Sequence, residues 1–297
     1  MTDFITWNIQ CGRGTDNKVD LPRIADVIKG MSDADVICLQ EVARFDPELD
    51  NGRGEDQVEV LAQLFPEHSP VFGPAISRKL ANTNKRSEFG NLILSRRPLL
   101  QVFRHQLPQP NPEILCKHMP RQALEVVVSL PDGPLSVTTT HLEYHSALQR
   151  QAQAARLIEI QQENNSNRNY ADHAPASGPY AAVPRPERSL LCGDFNSAPG
   201  DQVYNILVPP EDQKTHRQQI QHSGGYLDCW TRLRPKEPHS ATCGIYDQVQ
   251  WPEGPHCRDF FFVSSELVDL LEQITVQEET SASDHQPLLL RLKHTAC

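Results

Sequence analysis

The sequence predicts an α/β protein of layered mixed sheets covered by helices, and three observations carry that reading. Short apolar runs of strand type recur along the chain, some with no polar alternate, as strands covered on both faces require. Two amphipathic helical segments interleave with them. A hairpin near the middle makes one strand pair antiparallel, so the sheets are mixed.

Phe4 to Ile9 alternates and runs into a glycine-bearing loop, whereas Val36-Ile37-Cys38-Leu39 is continuously apolar. The helix between them has Asp20 as its N-cap, Pro22 in its first turn, an apolar face of Leu21, Ile24, Ala25, Val27 and Ile28, and Gly30 as its stop. Further strands are expected at Asn91 to Ser95, Ala123 to Leu130, Leu135 to His141, Ser189 to Gly193, Asp259 to Val263 and Leu288 to Leu292. Pro131-Asp132-Gly133-Pro134 is the hairpin turn. A second helix fits Ala147 to about Gln162. Residues 164–188 collect Asn, Ser, Pro, Gly and Ala without a period and read as a long surface loop. The strands beyond it resume the earlier buried character, so residues 1–297 are expected to form one domain.

Composition bounds the partners. The 297 residues hold 28 Lys plus Arg against 38 Asp plus Glu, a net charge of −10, which gives no general attraction to nucleic acid. A local basic patch, or a phosphate site in which a bound cation supplies the positive charge, remains compatible with that balance. There is no apolar run of membrane-spanning length. The N-terminal residues lack a basic and then apolar leader, so a cytoplasmic protein is expected. The eight cysteines are scattered without a C-x-x-C pair and read as reduced, with Cys38 and Cys192 inside apolar runs.

The chemistry gathers at strand ends. Asn8 follows the first strand, Glu41 the second, Asp194 and Asn196 another, and Ser283-Asp284-His285 directly precedes the last. A spacing of two in extended chain puts Asp194 and Asn196 on one side. Carboxylates and amide oxygens are hard donors that suit Mg²⁺ or Mn²⁺. Taken singly, each such residue is a turn former or a solvated charge. His141-x-Glu143-x-His145 alternates as a transition-metal pair would, without a third ligand to complete it. Tyr144 and His145 are alternatively candidates to line a substrate cleft.

Taken in order, Thr6-Trp7-Asn8-Ile9, Leu39-Gln40-Glu41-Val42, Thr140-His141-Leu142, Gly193-Asp194-Phe195-Asn196, Arg258-Asp259-Phe260-Phe261-Phe262-Val263 and Ser283-Asp284-His285 resemble the motifs of the endonuclease/exonuclease/phosphatase superfamily, from about residue 4 to about residue 292. The resemblance implies a four-layered α/β sandwich, two central mixed β-sheets flanked by helices, with the site at one rim. It implies that Glu41 holds a divalent cation with Asn8 and Asp284. Asp194 would orient or deprotonate the attacking water, and Asn196 would help to place it or the phosphate. His285, oriented by Asp259, would contact the scissile phosphate. His141 would do similar work from the other side, with Glu88 its candidate orienting partner.

The implied activity is metal-dependent hydrolysis of phosphate esters by direct water attack, in a monomer. Gln10 stands where many abasic-site and tyrosyl-DNA relatives carry Asp, and Val42-Ala43-Arg44 replaces the Lys-containing continuation of the abasic-site enzymes. Phe89 to Arg96 and Thr140 to Tyr144 with Gln149-Arg150-Gln151 are most similar to uncharacterised bacterial members. The substrate is a small molecule or nucleic acid. On the nucleic-acid reading Arg78, Lys79, Lys85 and Arg86 form a basic edge; on the small-ester reading residues 46–56 and 164–188 wall a pocket. A non-catalytic phosphate-binding module is the alternative from another class.

Overall fold

The computed structural model describes residues 1–294 except 82, 113, 168–176 and 210–224. Among the described residues two six-stranded sheets pack face to face. The first has the order β11-β12-β1-β2-β4-β3, formed by β1 (Thr2–Asn8), β2 (Val36–Arg44), β3 (Ser69–Lys79), β4 (Arg86–Ser95), β11 (Leu271–Val276) and β12 (Leu288–Leu292). The second has the order β5-β6-β7-β8-β10-β9, formed by β5 (Leu99–Gln106), β6 (Gln122–Leu130), β7 (Gly133–His141), β8 (Ser189–Asp194), β9 (Leu227–Asp228) and β10 (Asp259–Val263). Helices α1 (Leu21–Met31) and α2 (Gln57–Leu64) cover the first sheet, and α3 (Ala147–Asn167) and α4 (Gln202–Leu207) the second.

Strand alternation builds the layers. Phe4, Cys38, Ile93 and Leu290 of the first sheet meet Val126, Val137, Cys192 and Phe261 of the second in a central core. Ile5, Trp7, Ile37 and Leu92 point the other way, onto Ile24 and Ile28 of α1 and Leu61 of α2. Ala123, Leu191 and Phe262 likewise face Ala154 and Leu157 of α3. A strand buried on both faces has no place for a polar alternate, which accounts for the continuous apolar runs. The described cysteines are all free, and Cys38 and Cys192 are buried.

Two helix boundaries differ from expectation. Asp20 caps α1 by accepting from the Arg23 N–H, but the helix runs past Gly30 and ends at Met31, with the Ser32 N–H bonded to the Ile28 carbonyl. Helix α3 continues to Asn167, so residues 164–167 are helical; 168–176 lie outside the described residues and 177–188 are irregular. The inward side of α3 carries Gln149, Gln153, Gln161 and Asn164, which spend their amides on hydrogen bonds such as Asn164 Nδ2 to Glu125 Oε1 at 2.8 Å. That polar inner face hides the helical period.

Each sheet has one parallel pair, β1 with β2 and β7 with β8, and its remaining pairs are antiparallel. Parallel strands end side by side, so Asn8 and Glu41 leave one pair where His141 and Asp194 leave the other. The antiparallel neighbours begin at the same end: Asp259 opens β10 opposite Asp194, and Asp284-His285 leads into β12. Just beneath this rim, the fully buried Gln40 ties the sheets together, donating from Nε2 to Thr6 Oγ1 at 3.1 Å and to Thr139 Oγ1 at 2.8 Å across the core. Gln40→Ala removes this tie and leaves a cavity. Its expected cost is about 1–3 kcal/mol of stability, seen as a lower urea midpoint with an unchanged slope.

Candidate active site

Two backbone devices aim the side chains at the rim. Pairing of β2 with β4 shifts register between Leu39 and Val42, and Glu41 within that bulge takes φ 56°, in the left-handed region. A bulge turns a side chain out of the regular pleat, here toward the rim, at a cost of order 1–3 kcal/mol for a non-glycine residue. Before Asp194, Gly193 sits at φ +133°, where a Cβ would lie 2.0 Å from the Thr140 carbonyl oxygen of β7. Only glycine lets β8 approach that closely, and this approach sets Asp194 beside His141.

Hydrogen bonds join the two halves. Asn8 Nδ2 donates to Glu41 Oε1 and to Asp194 Oδ2, both at 3.0 Å. The other Asp194 oxygen accepts the Asn196 N–H at 2.8 Å, and Asn196 donates its amide to the Leu142 carbonyl. His285 places Nδ1 2.8 Å from Asp259 Oδ2 and Nε2 3.7 Å from Asp194 Oδ2, and its carbonyl accepts from the Trp7 indole. His141 stands between Asp194, 3.4 Å from Nε2, and Glu41, 3.8 Å from Nδ1. Trp251 donates to Asp284 Oδ2 at 3.3 Å and sets its ring edge-on to His285.

Burial and charge divide these groups. Burial pushes Glu41 up to about 7, helped by the neighbouring Asp284 charge; a quarter of its side chain still meets solvent. Asp284 is raised for the same first reason, and Asp259 to about 6. Burial would also raise Asp194, but His285 and the bonds from Asn196 and Asn8 hold it below the usual carboxylate range. His285 lies well above an ordinary histidine because the charges of Asp259, Asp194 and Asp284 outweigh its burial. Burial, and then the Arg121 charge, push His141 down to about 3, so the two histidines differ in charge at neutral pH.

The donor set fits a hard divalent cation. Ligand-type atoms of Asp194, Asp259 and His285 lie within 4.8 Å of one another. Asp259 and His285 are nevertheless committed to each other, so the oxygen donors that could hold an ion are Glu41, Asp284 and the Asn8 amide oxygen, which also accepts the Gln10 N–H. Both carboxylates are raised by burial, a penalty that a bound cation would reverse.

A model of the endonuclease/exonuclease/phosphatase family matches residues 5–285. The chain belongs to this family. Among solved structures it is similar to an endonuclease/exonuclease/phosphatase from Beutenbergia cavernae, with 27% identity and a TM-score of 0.62 over 98% of this chain and 71% of that one. A 3′ phosphatase from Neisseria, bound to a product DNA hairpin, matches with 18% identity and a TM-score of 0.61 over 99% and 100% of the two chains. A mannosyl-6-phosphatase from Bacteroides thetaiotaomicron matches with 14% identity and a TM-score of 0.63, again over 99% and 100%. No curated protein matches. Among the described residues no helix is long and apolar enough to cross a membrane.

Within this family fold, eight of the nine expected residues meet at the rim: Asn8, Glu41, His141, Asp194, Asn196, Asp259, Asp284 and His285. Glu88 does not. It bonds Arg44 at 3.1 Å and Ser77 at 2.9 Å, because Arg44 at the end of β2 lies opposite it in the ladder and captures its charge. Glu143 is likewise taken, by the buried Arg121 at 3.2 Å, so the alternating His141, Glu143 and His145 form no ligand set. Two contributors escape sequence reasoning, Arg121 and Trp251. Each is isolated in a loop without a motif, although a lone arginine immediately before an apolar strand is a weak sign of a buried charge.

The depressed pKa of His141 makes a pH prediction. Between pH 6.5 and about 3 the unfolded chain binds a proton at His141 that the folded protein does not, so this residue makes stability fall as pH falls, by at most about 1.4 kcal/mol per unit. His141→Asn flattens that acid limb relative to wild type in urea titrations, and imidazole NMR of the wild type finds His141 neutral at pH 5.

Proposed function

We propose that the protein hydrolyses phosphate esters, with a Mg²⁺ or Mn²⁺ ion held by Glu41, Asp284 and Asn8. The observation that carries this reading is the His285 arrangement. Nδ1 is fixed by Asp259, the surrounding acids keep the ring charged against its burial, and Nε2 lies too far from Asp194 for a hydrogen bond. A charged donor held in this way serves an anion that gains negative charge in the transition state. The metal, when bound, neutralises phosphate oxygens.

Asp194 is ionised and oriented by Asn8 and Asn196, so it positions the attacking water and accepts its proton as the new P–O bond forms, while the ester P–O bond breaks and the leaving oxygen takes a proton from solvent. Neutral His141, between Glu41 and Asp194, offers a donor to a second phosphate oxygen without adding charge. No serine or cysteine nucleophile is needed, and the buried thiol of Cys11 is pushed far up by desolvation. The named activities of the Neisseria and Bacteroides relatives support a phosphate monoester as substrate.

Mn²⁺ titration calorimetry and hydrolysis of bis-p-nitrophenyl phosphate test the assignment together. Glu41→Gln is expected to weaken Mn²⁺ binding. His285→Ala keeps that binding and lowers turnover by about 10²-fold or more. Equal loss of Mn²⁺ binding in both variants would make His285 a ligand. Wild type as inert as Glu41→Ala and Asp194→Ala across a broad ester panel would favour the phosphate-binding module instead.

A nuclease reading has one observation of its own. Arg78, Lys79, Lys85 and Arg86 are all exposed at the tip of the β3–β4 hairpin, which extends beyond the rim end of β2. Hydrolysis of single-stranded DNA that falls steeply as salt rises, and less steeply in Lys79→Ala/Lys85→Ala, would support it. A flat salt response with good turnover of a small ester would remove it.

A further inference from the structure

Beside the acidic centre stands a wall of opposite charge that the hydrolytic chemistry does not use. It is built on residues 142–144, just past β7. The Leu142 carbonyl holds the Asn196 amide, while the Glu143 and Tyr144 carbonyls accept from Arg150 Nη1 at 2.6 and 2.8 Å. The Tyr144 ring lies edge-on to Trp251, centroids 5.8 Å apart, and Trp251 lies 5.5 Å from His285. The guanidinium of Arg258 covers both aromatic rings, 4.8 Å from Trp251 and 5.7 Å from Tyr144. Two guanidiniums therefore flank Tyr144, one aromatic ring away from His285.

Neither cation is well paired. Arg150 is partly buried, its Nε is buried without a hydrogen bond, and among the described residues it has no carboxylate within 4.0 Å. Asp201 is the carboxylate that acts on it most strongly, and that carboxylate is engaged in capping α4. Among the described residues Arg258 has one carboxylate, Glu253, at 3.4 Å and half exposed.

Arg258 is nonetheless held firmly. Its Nε donates to His256 Nε2 at 2.6 Å, and His256 Nδ1 lies 2.7 Å from the Gly254 carbonyl, which fixes the ring as a neutral acceptor at Nε2. An arginine fixed at Nε and stacked on aromatic faces presents its outer N–H groups in a set plane, and the one loose, exposed bond from Nη2 to Glu253 at 3.4 Å leaves the others for a planar or tetrahedral anion. Arg258 acts on Arg150 as a like charge, and of the two the half-exposed Glu253 touches only Arg258, so an anion between the two guanidiniums would relieve their repulsion.

We infer that Arg150 and Arg258 form an anion subsite over Tyr144, and that the substrate is a phosphate ester carrying a second anionic group, which this subsite holds while the scissile phosphate faces His285. The substrate part of this inference rests on the phosphate-ester reading; the subsite itself does not.

Inorganic phosphate is the probe, titrated into metal-free protein, in which the carboxylate-rich centre repels anions. Trp251 fluorescence and calorimetry report binding, and circular dichroism verifies folding. Wild type is expected to bind phosphate saturably, and Arg258→Gln to weaken it ~10-fold or more, with Arg258→Lys intermediate because it keeps charge but not the fork. With Mn²⁺ present, the ratio of kcat/KM for adenosine 3′,5′-bisphosphate over adenosine 5′-monophosphate should exceed ~10 in wild type and fall toward one in Arg258→Gln. Absence of phosphate binding, or binding undiminished in a folded Arg258→Gln, would overturn the subsite. An unchanged bisphosphate preference in that variant would overturn its role in substrate choice. Intact phosphate binding without turnover of any ester would remove the phosphate-ester reading and leave the subsite standing.

Discussion

Like charges drawn out of water repel, and four carboxylates, Glu41, Asp194, Asp259 and Asp284, converge on one buried rim. Much of the surrounding structure works to hold them there. Asn8 spans two of them with a single amide, His285 balances a third, and Trp251 holds the fourth. The divergent protonation that results separates an ionised Asp194 from a Glu41 near 7, and a charged His285 from a neutral His141. Groups of the same type differ in charge because their neighbours differ, and that separation suits the proposed division between cation binding, water orientation and donation to phosphate.

The rigid frame for this crowding is the interior of each sheet, and the interior is also what was legible in the sequence. The eight strands expected from apolar runs are β1, β2, β4, β6, β7, β8, β10 and β12, which are the inner strands of the two sheets. The four that escape notice, β3, β5, β9 and β11, are the edges. The physical reason is specific. Edge strands carry solvent on one side and discourage further pairing with charge and proline, as at Pro70 and Pro74 in β3, Arg104 in β5 and Glu272 in β11. Such segments resemble loops when read one residue at a time.

The same distinction applies to the site. Residues on or next to inner strands, from Asn8 to His285, are readable because their backbone position is dictated by the ladder. Trp251 and Arg150 depend on how a loop and a helix turn back over the rim, and no local periodicity encodes that; Arg258 adjoins inner strand β10, but its contact with Trp251 is equally unreadable. Glu88 shows the converse error. It lies on an inner strand near the rim, yet the cross-strand partner Arg44 takes its charge, a choice made by register and not by proximity in sequence.

The arrangement of one parallel pair per sheet has a consequence for when the protein can act. Asn8, Glu41, Asp284 and His285 belong to the first sheet, and His141, Asp194, Asn196 and Asp259 to the second. Strand β12 is inserted between β1 and β11, so among the described residues the latest strand in the chain joins the first sheet together. Asn8 and Glu41 come from the first two strands of the chain, whereas Asp284 and His285 lie more than 240 residues later. The rim cluster is thus a property of both sheets together and cannot be complete before Asp284 and His285 have joined it.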